Sequence, residues 1–375
     1  MLSFARLRAR LRARLHAQLL ARLVTRPAFR AWAAQFWLTR PIARRRTRAL
    51  FDLCAGFVYA QTLAACVELD LFERLATGPV AADALAGAVG VPPGPFGALL
   101  RAAGGVRLLT VQDGLVSLGP LGAAMVGNQG LVAMIRHHTL LYADLADPVG
   151  LLRGRPGSLG TYWAYAGAAE PGGLGDAPVA AYSRLMAASQ PLVAAEVLAA
   201  FPLGGHRHVV DVGGGEGAFL AAAARTHPRL RGTVFDLPAV ADRARARFAA
   251  AGLAERLDAA GGDVFRDALP AGADLMTLVR VIHDHDDGAA MLILAAAHRA
   301  LAPGGTLLLA EPMAGTAGAG GAETYFSLYL LAMGSGQPRT RPRLAAMLHH
   351  AGFISVREHR TATPLLVRVM SAHKV

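Results

Sequence analysis

Lysine is almost missing from this chain of 375 residues: Lys374 is the only one, and arginine carries the rest of the basic charge. Cysteine is nearly as scarce. Cys54 and Cys66 cannot build a disulfide framework or a cysteine-rich zinc site, and no stretch reads as a cleavable signal peptide, so a reducing cytoplasm is the expected setting. Acidic side chains are absent from residues 1–50, which hold thirteen arginines. The net charge of +12 therefore belongs to a leader, and the rest of the chain is close to neutral. The longest uncharged stretch, residues 114–135, is long enough to cross a bilayer, but Pro120, Asn128, Gln129 and five glycines exclude a transmembrane helix there.

What is present is an alanine-rich chain, 54% apolar, with the length of about two ordinary domains. We divide it into a basic leader (1–48), a helical region (49–180) and an α/β region (181–375). In the leader, Phe4, Leu7, Leu11, Leu15, Leu19 and Leu23 share one side of a helix, but Arg8, Arg12 and Arg22 fall in the same arc. Two readings stay open for it, a solvated basic tail or adsorption to an anionic membrane surface from the cytoplasmic side.

Residues 50–125 read as helices, with a helix, a turn, a second helix and a hairpin turning at Asp113-Gly114, the outline of a winged helix. With the arginine leader, this raises a rival function as a DNA-binding regulator. The second helix (95–108) argues against it, since it offers base edges only Arg101 and Arg107; no specific nucleic acid is expected.

From His206 onward, apolar runs alternate with alanine-rich helices: HVVDVG, GTVFDL, RLDAAGGDVF, DLMTLVRVI, GTLLLAEP, ISVREHR and LLVRVM. This predicts a doubly wound, mostly parallel sheet whose ligands bind beyond the carboxyl ends of the strands. The first strand runs through Asp211 into Gly213-Gly214-Gly215-Glu216-Gly217, a turn that lets backbone N–H groups approach a ligand. Its spacing is not the dinucleotide Gly-x-Gly-x-x-Gly, and no phosphate-binding Gly-x-x-x-x-Gly-Lys-Ser/Thr occurs. Asp236, followed by Leu237, ends the second strand, where a carboxylate can accept ribose hydroxyls; Asp263 and Val264 end the third. Either acid alone could be a local turn or cap. In order, the three features describe a nucleoside pocket.

The fourth strand leads through Arg280 to His283-Asp284-His285-Asp286-Asp287, which reads as the strand's end with His283 the first residue past it. On an extended strand His283 and Asp284 point in opposite directions and cannot share a metal, although His283 and His285 could. No metal site is expected. His285, Asp286 and Asp287 are expected to start and cap the next helix.

DVGGGEG, FDLP, GGDVF, HDHDD and LLLAEP, in this order over residues 182–353, resemble the class I S-adenosylmethionine-dependent O-methyltransferases of the caffeate and acetylserotonin type. The resemblance implies S-adenosyl-L-methionine as cofactor, a Rossmann-like domain, and a winged-helix-like N-terminal domain used for homodimerisation. It implies that Gly213, Gly215 and neighbouring Asp211 serve the methionine end, Asp236 with Leu237 the ribose, and Asp263 with Val264 the adenine. Arg280 also counts among the cofactor contacts. His283 falls on the family's general base and Glu311 on a carboxylate that orients it. A second flanking Glu is replaced by Pro338 in Gly336-Gln337-Pro338-Arg339-Thr340, leaving Glu311 or Asp284 to support the imidazolium. His285 stands where a Trp is common.

Within that family the chain is similar to the bacterial carotenoid 1-hydroxy O-methyltransferases (hydroxyneurosporene or demethylspheroidene type), through LTRPIARRRTRALFDLCAGFVYAQ, HHTLLYADLADPVGLLRG, YWAYAG, YSRLMAASQPLV and YFSLYLLAMGSGQPRTRPRL. A hydrophobic acceptor with a tertiary hydroxyl follows from that resemblance; a tetrapyrrole or an aromatic natural product is the alternative. The run AETYFSLYLLAMG from Ala322, with Met186 and Met333, can line an apolar pocket or a dimer core, and His137, His138 and Tyr142 are candidates for the pocket mouth. With an ordinary imidazole near pKa 6.5, taking the proton beforehand from a phenol costs roughly 5 kcal/mol, and from an aliphatic alcohol about 12 kcal/mol.

Overall fold

The structure, a computed structural model, describes residues 21–162 and 176–375. The leader's apolar positions Phe4, Leu7, Leu11, Leu15 and Leu19, and most of the YWAYAG stretch, lie outside the described residues. The chain divides into two compact units, Met1–Val126 and Gly127–Val375.

In the first unit, α1 (Pro27–Gln35) and α2 (Arg40–Glu68) both carry a proline in the first turn, where a missing N–H removes no helix bond. Among the described residues α2 alone is long and apolar enough, by length and composition, to cross a membrane. Its last turns pack within the unit, with Thr62, Cys66 and Val67 buried, and burial pushes the Cys66 thiol up to about 11. There follow α3 (Leu71–Arg74), β1 (Val80–Ala81), α4 (Ala82–Ala88), α5 (Pro93–Gly105), β2 (Leu109–Gln112), β3 (Leu115–Leu118) and α6 (Pro120–Ala123). The strands form an antiparallel sheet in the order β1-β3-β2. The hairpin turns where the sequence predicts. Asp113 and Gly114 both have positive φ, 51° and 76°, the pair a two-residue turn needs to match strand twist.

The second unit begins with α7 (Gln129–Leu145), α8 (Pro148–Leu152), α9 (Leu159–Tyr162) and α10 (Asp176–Ala200). The uncharged run 114–135 is thus shared among β3, α6 and the start of α7. Next come β4 (His208–Val212), α11 (Ala218–Thr226), β5 (Arg231–Asp236), α12 (Pro238–Ala250), β6 (Leu257–Gly261) and β7 (Leu275–Val279). The series ends with α13 (Asp287–Ala300), β8 (Thr306–Glu311), α14 (Gly320–Met333), α15 (Arg341–His350), β9 (Ile354–His359) and β10 (Arg368–His373). The sheet order is β6-β5-β4-β7-β8-β10-β9, parallel except for β10, which runs antiparallel to both neighbours. This is the Rossmann-like arrangement expected.

Alternation along the central strands divides the core into two layers. Val209, Leu275, Val279 and Leu308 face one layer, with Phe219, Leu220 and Phe248; Val210, Met276, Leu278 and Leu309 face the other, with Ile293, Leu294 and Phe353. The C-terminus of α13 is tied down by Lys374, whose Nζ donates to the carbonyls of Arg299 and Leu301 at 3.1 and 2.6 Å.

The chain runs outward from β4 through β5 to β6 and then returns to β7 on the other side of β4. The crevice at this reversal opens between the loops after β4 and β7, which hold the glycine turn and the HDHDD stretch. Truncating the support under it should be costly. Leu278→Ala removes a fully buried side chain from β7 and should cost about 2–5 kcal/mol, read as a lower urea midpoint with far-UV dichroism preserved.

Candidate active site

The turn after β4 is built from positions that a side chain would disrupt. Gly213 and Gly215 have φ of 66° and 58°. A Cβ on Gly213 would lie 2.8 Å from the Val281 side chain, and one on Gly214 2.5 Å from the Asp211 carboxylate. Beside Gly215 there is open space, so its bare backbone faces the crevice. The Gly215 N–H donates to Asp236 Oδ2 at 2.8 Å, and Leu237 N–H donates to Oδ1 at 2.8 Å. Burial nevertheless raises the Asp236 carboxyl to about 6, against the pull of these two bonds.

Asp211 lies in the core below. It accepts the Thr277 hydroxyl at 2.6 Å, while its Oδ2 has no hydrogen-bond partner among the described residues. Burial pushes this carboxyl to about 7; the Thr277 bond opposes the shift and the nearby Asp236 charge adds to it. Asp263 serves the local turn, accepting the Phe265 N–H at 2.9 Å, while its own N–H goes to Asp267 at 2.8 Å.

These loops enclose a cavity of about 510 Å³, within the usual range for a small-molecule site. Gly213, Gly215, Asp236 and Leu237 line it from the loops after β4 and β5, Asp263 and Val264 from the loop after β6, and Arg280 and Asp284 from the loop after β7. Asp211 supports the cavity without lining it. Arg280 reaches back to α10, where its guanidinium donates to Ser189 Oγ at 2.9 Å and lies 3.5 Å from Met186 Sδ.

The turn after β7 differs from the sequence expectation. The strand stops at Val279 because Arg280 takes a left-handed conformation (φ 59°), so three residues, not none, separate it from His283. Ile282–Asp284 form a 3₁₀ turn instead of an extended end, and this brings the neighbouring side chains of His283 and Asp284 together, contrary to the opposite directions expected of a strand. His283 Nε2 is 3.0 Å from Asp284 Oδ1, and His283 Nδ1 is 2.6 Å from Glu311 Oε2. The other Glu311 oxygen accepts the N–H groups of Val281 and Ile282 at 3.0 and 2.7 Å. Burial alone would lower the His283 pKa, but the Asp284 and Glu311 carboxylates outweigh it and raise the imidazole to about 10. His283 is therefore an imidazolium at neutral pH, with a carboxylate on each nitrogen. Phe326 from α14 stands edge-on to its ring, the centroids 5.8 Å apart.

Sequence reasoning missed what holds this turn from behind. Gln337 N–H donates to the His283 carbonyl at 2.9 Å, and Gly336 (φ 86°) packs so closely there that a Cβ would meet that carbonyl oxygen. The buried Arg339 guanidinium donates to the carbonyls of Ile282 and His285 at 2.6 and 2.7 Å and to Asp287 at 2.7 Å. The segment with proline in place of the second glutamate thus holds the loop after β7 by that loop's backbone carbonyls. Its only signal in the sequence was an arginine beside Pro338. Asp286 does cap α13, accepting the Ala289 N–H at 2.9 Å, and among the described residues no three His, Cys, Asp or Glu side chains are grouped to hold a metal ion.

His137 and His138 do not line the cavity. They pair with α14, His137 with the Tyr329 hydroxyl at 2.9 Å and His138 with that of Tyr325 at 3.0 Å. Burial lowers both imidazoles, His137 to about 4, so both are neutral. Tyr142 is half-buried on the same helix. The apolar face of α14 divides: Tyr329, Leu330, Ala332 and Met333 are buried against Leu141, Leu151 and Leu159, whereas Leu331 is exposed.

The O-methyltransferase domain family matches residues 142–354, and the O-methyltransferase dimerisation domain family matches residues 51–128. The chain belongs to the S-adenosylmethionine-dependent O-methyltransferases. This methyltransferase is 42% identical to the demethylspheroidene O-methyltransferase of Cereibacter sphaeroides over 337 residues, covering 89% of this chain and 88% of that one. It is 40% identical over 346 residues to the protein of that name from Rhodobacter capsulatus, covering 90% and 84%. Human N-acetylserotonin methyltransferase, solved with S-adenosylmethionine, superposes with a TM-score of 0.73 at 26% identity, covering 88% of this chain and 97% of that one. The match to the dimerisation domain family supports a homodimer. The cavity fits the cofactor: the bare backbone at Gly215 leaves room for close approach, and a carboxylate ends the second strand.

The raised Asp211 carboxyl has a consequence for stability. Its folded value, about 7, exceeds the unfolded value near 3.9, so the folded chain binds the proton more tightly. The stabilisation is complete below the unfolded value and is lost as pH rises through about 7. Asp211→Asn keeps an oxygen for Thr277 and cannot titrate. Its stability, measured by urea unfolding without cofactor, should fall less between pH 4 and 7 than that of the wild type, by up to about 4 kcal/mol. Parallel slopes would refute this assignment.

Proposed function

We propose that this methyltransferase converts the tertiary 1-hydroxyl of an acyclic carotenoid, of the hydroxyneurosporene or demethylspheroidene type, to a methoxy group, and that it takes this acceptor from an anionic membrane surface. The observation that carries the reading is identity of 42% and 40%, over nearly the whole chain, to two demethylspheroidene O-methyltransferases. The arginine-rich, acid-free residues 1–50 support the membrane component. When bound, S-adenosylmethionine supplies a methyl group already activated on a positive sulfur.

The chain's own residues then have three tasks. Gly213 and Gly215 would take the methionine end of the cofactor, with Asp211 beneath them; Asp236 with Leu237 would take the ribose, and Asp263 with Val264 the adenine. Arg280 would border the cofactor from the loop after β7. His283, positioned by Glu311, would accept the proton of the acceptor hydroxyl, approached from its Nε2 side, where Asp284 now stands. Displacing or neutralising Asp284 is part of that approach, because His283 must lose its proton before it can gain another.

The raised pKa changes the energetics without removing the difficulty. Passing an alcohol proton of pKa about 15.7 to a base near 10 costs about 8 kcal/mol, compared with about 12 for ordinary histidine, but freeing the base at pH 7 costs about 4 more. At neutral pH the two routes cost nearly the same. Proton loss therefore has to accompany methyl transfer, and placement within hydrogen-bonding distance matters more than basicity.

His283→Ala should retain cofactor affinity by calorimetry and lose turnover by about 10²–10⁴. In the wild type, kcat/KM should rise about tenfold per pH unit above neutrality and level off near 10, where His283 is free. Glu311→Gln removes one of the two charges that raise the imidazole, so the plateau should begin at lower pH. A profile flat from pH 6 to 9 would eliminate His283 as the base.

The acceptor is tested with labelled S-adenosylmethionine and separate carotenoid, tetrapyrrole and catechol substrates. Label should enter only the hydroxylated carotenoid, and deleting residues 1–48 should reduce its methylation in anionic vesicles much more than in detergent. Turnover of the tetrapyrrole or catechol alone would overturn the carotenoid reading. Equal losses in both media would overturn the membrane component.

A further inference from the structure

Before the dimerisation domain match begins at Phe51, the described chain makes an elbow of α1 and the start of α2. Four of its apolar side chains are aromatic and lie in a continuous series, and two of them, Trp32 and Trp37, are turned outward. Trp32 stacks on Phe36 with centroids 4.9 Å apart, Phe29 lies 5.6 Å from Trp32, and Phe36 lies 6.3 Å from Trp37. Trp37, Leu38 and Ile42 are more than half exposed, Trp37 at 69%. The corner itself is well fixed, with Thr39 Oγ1 donating to the Ala33 carbonyl at 2.8 Å and the Arg40 N–H to that of Phe36 at 2.8 Å. Around it stand Arg26, Arg30, Arg40, Arg44, Arg45, Arg46 and Arg48, with no acidic residue before Asp52.

We infer that this elbow is a bilayer-docking device whose indole rings enter the headgroup region of an anionic membrane while the surrounding arginines engage lipid phosphates. A tryptophan already stacked in the free protein, as Trp32 is on Phe36, loses little side-chain freedom on insertion, and tryptophan favours the boundary between hydrocarbon and water. Charge selects lipid over a second copy of the same surface, because a symmetric self-contact would set these arginines against their equivalents. The inference deepens the membrane reading above, and its test needs no carotenoid, so it stands or falls separately from the identity of the acceptor.

The chain has three tryptophans, Trp32, Trp37 and Trp163. In full-length Trp163→Phe protein, fluorescence therefore reports the elbow alone. With phosphatidylcholine vesicles containing phosphatidylglycerol, emission should shift to the blue and the protein should co-sediment; with phosphatidylcholine alone it should do neither. Replacing both Trp32 and Trp37 by Ser should weaken vesicle partitioning about a hundredfold, about tenfold per ring. Arg44→Gln/Arg45→Gln/Arg46→Gln should weaken it similarly at low ionic strength, about fivefold per charge. Unchanged cofactor affinity would confirm that each variant is folded. The proposal is overturned by undiminished vesicle binding of the tryptophan variant, which would place the anchor elsewhere in the leader. It is equally overturned by emission already blue in lipid-free protein and unmoved by anionic vesicles, which would mean that protein covers the rings.

Discussion

Glu311 is the interaction on which the site depends. A single buried carboxylate at the end of β8 accepts two backbone N–H groups from the loop after β7 and holds the Nδ1 side of His283. The loop can reach it only because Arg280 leaves the strand in a left-handed conformation and the next residues coil into a 3₁₀ turn. The backbone bonds satisfy one oxygen and the imidazolium the other, which is how a charge can remain in a part of the protein from which water is excluded. The same carboxylate fixes the loop's path and helps set the protonation of its histidine.

That arrangement is reinforced from the opposite side. Arg339 carries a positive charge into the backbone carbonyls of residues 282 and 285, and Gln337 holds the carbonyl of residue 283. A carboxylate gathers two N–H groups and a guanidinium two C=O groups, so side chains of both polarities supplement the backbone bonds of this irregular turn. The loop can therefore be irregular and still well determined.

The sheet was legible in the sequence because its information is local. Short, mostly apolar runs of five or six residues, alternating with alanine-rich helices, mark the parallel strands, and the hairpin at Asp113-Gly114 is written in two adjacent residues. The glycine turn, the acid that ends β5 and the acid just past β6 are read from the same local signals. The convergence of His283 with Asp284 could not be, since it depends on one positive φ at Arg280, a residue type that seldom adopts it. Arg339 was unreadable for a different reason: its partners lie more than fifty positions away, and an arginine in a loop is most often solvated. The pairs His137–Tyr329 and His138–Tyr325 link helices nearly two hundred residues apart, so periodicity could put those histidines on a helix but not name what they face.

The scarcity of lysine has a practical side. The chain's one side-chain amine is occupied, since Lys374 donates two hydrogen bonds to carbonyls at the end of α13. Amine-directed crosslinkers, dyes and activated surfaces have almost no purchase on the side chains of this protein. A coupling that succeeds at Lys374 attaches every molecule through the same point. It gives a uniformly oriented layer in which the residue just past β10 is the tether, at the cost of the contacts that hold the helix end.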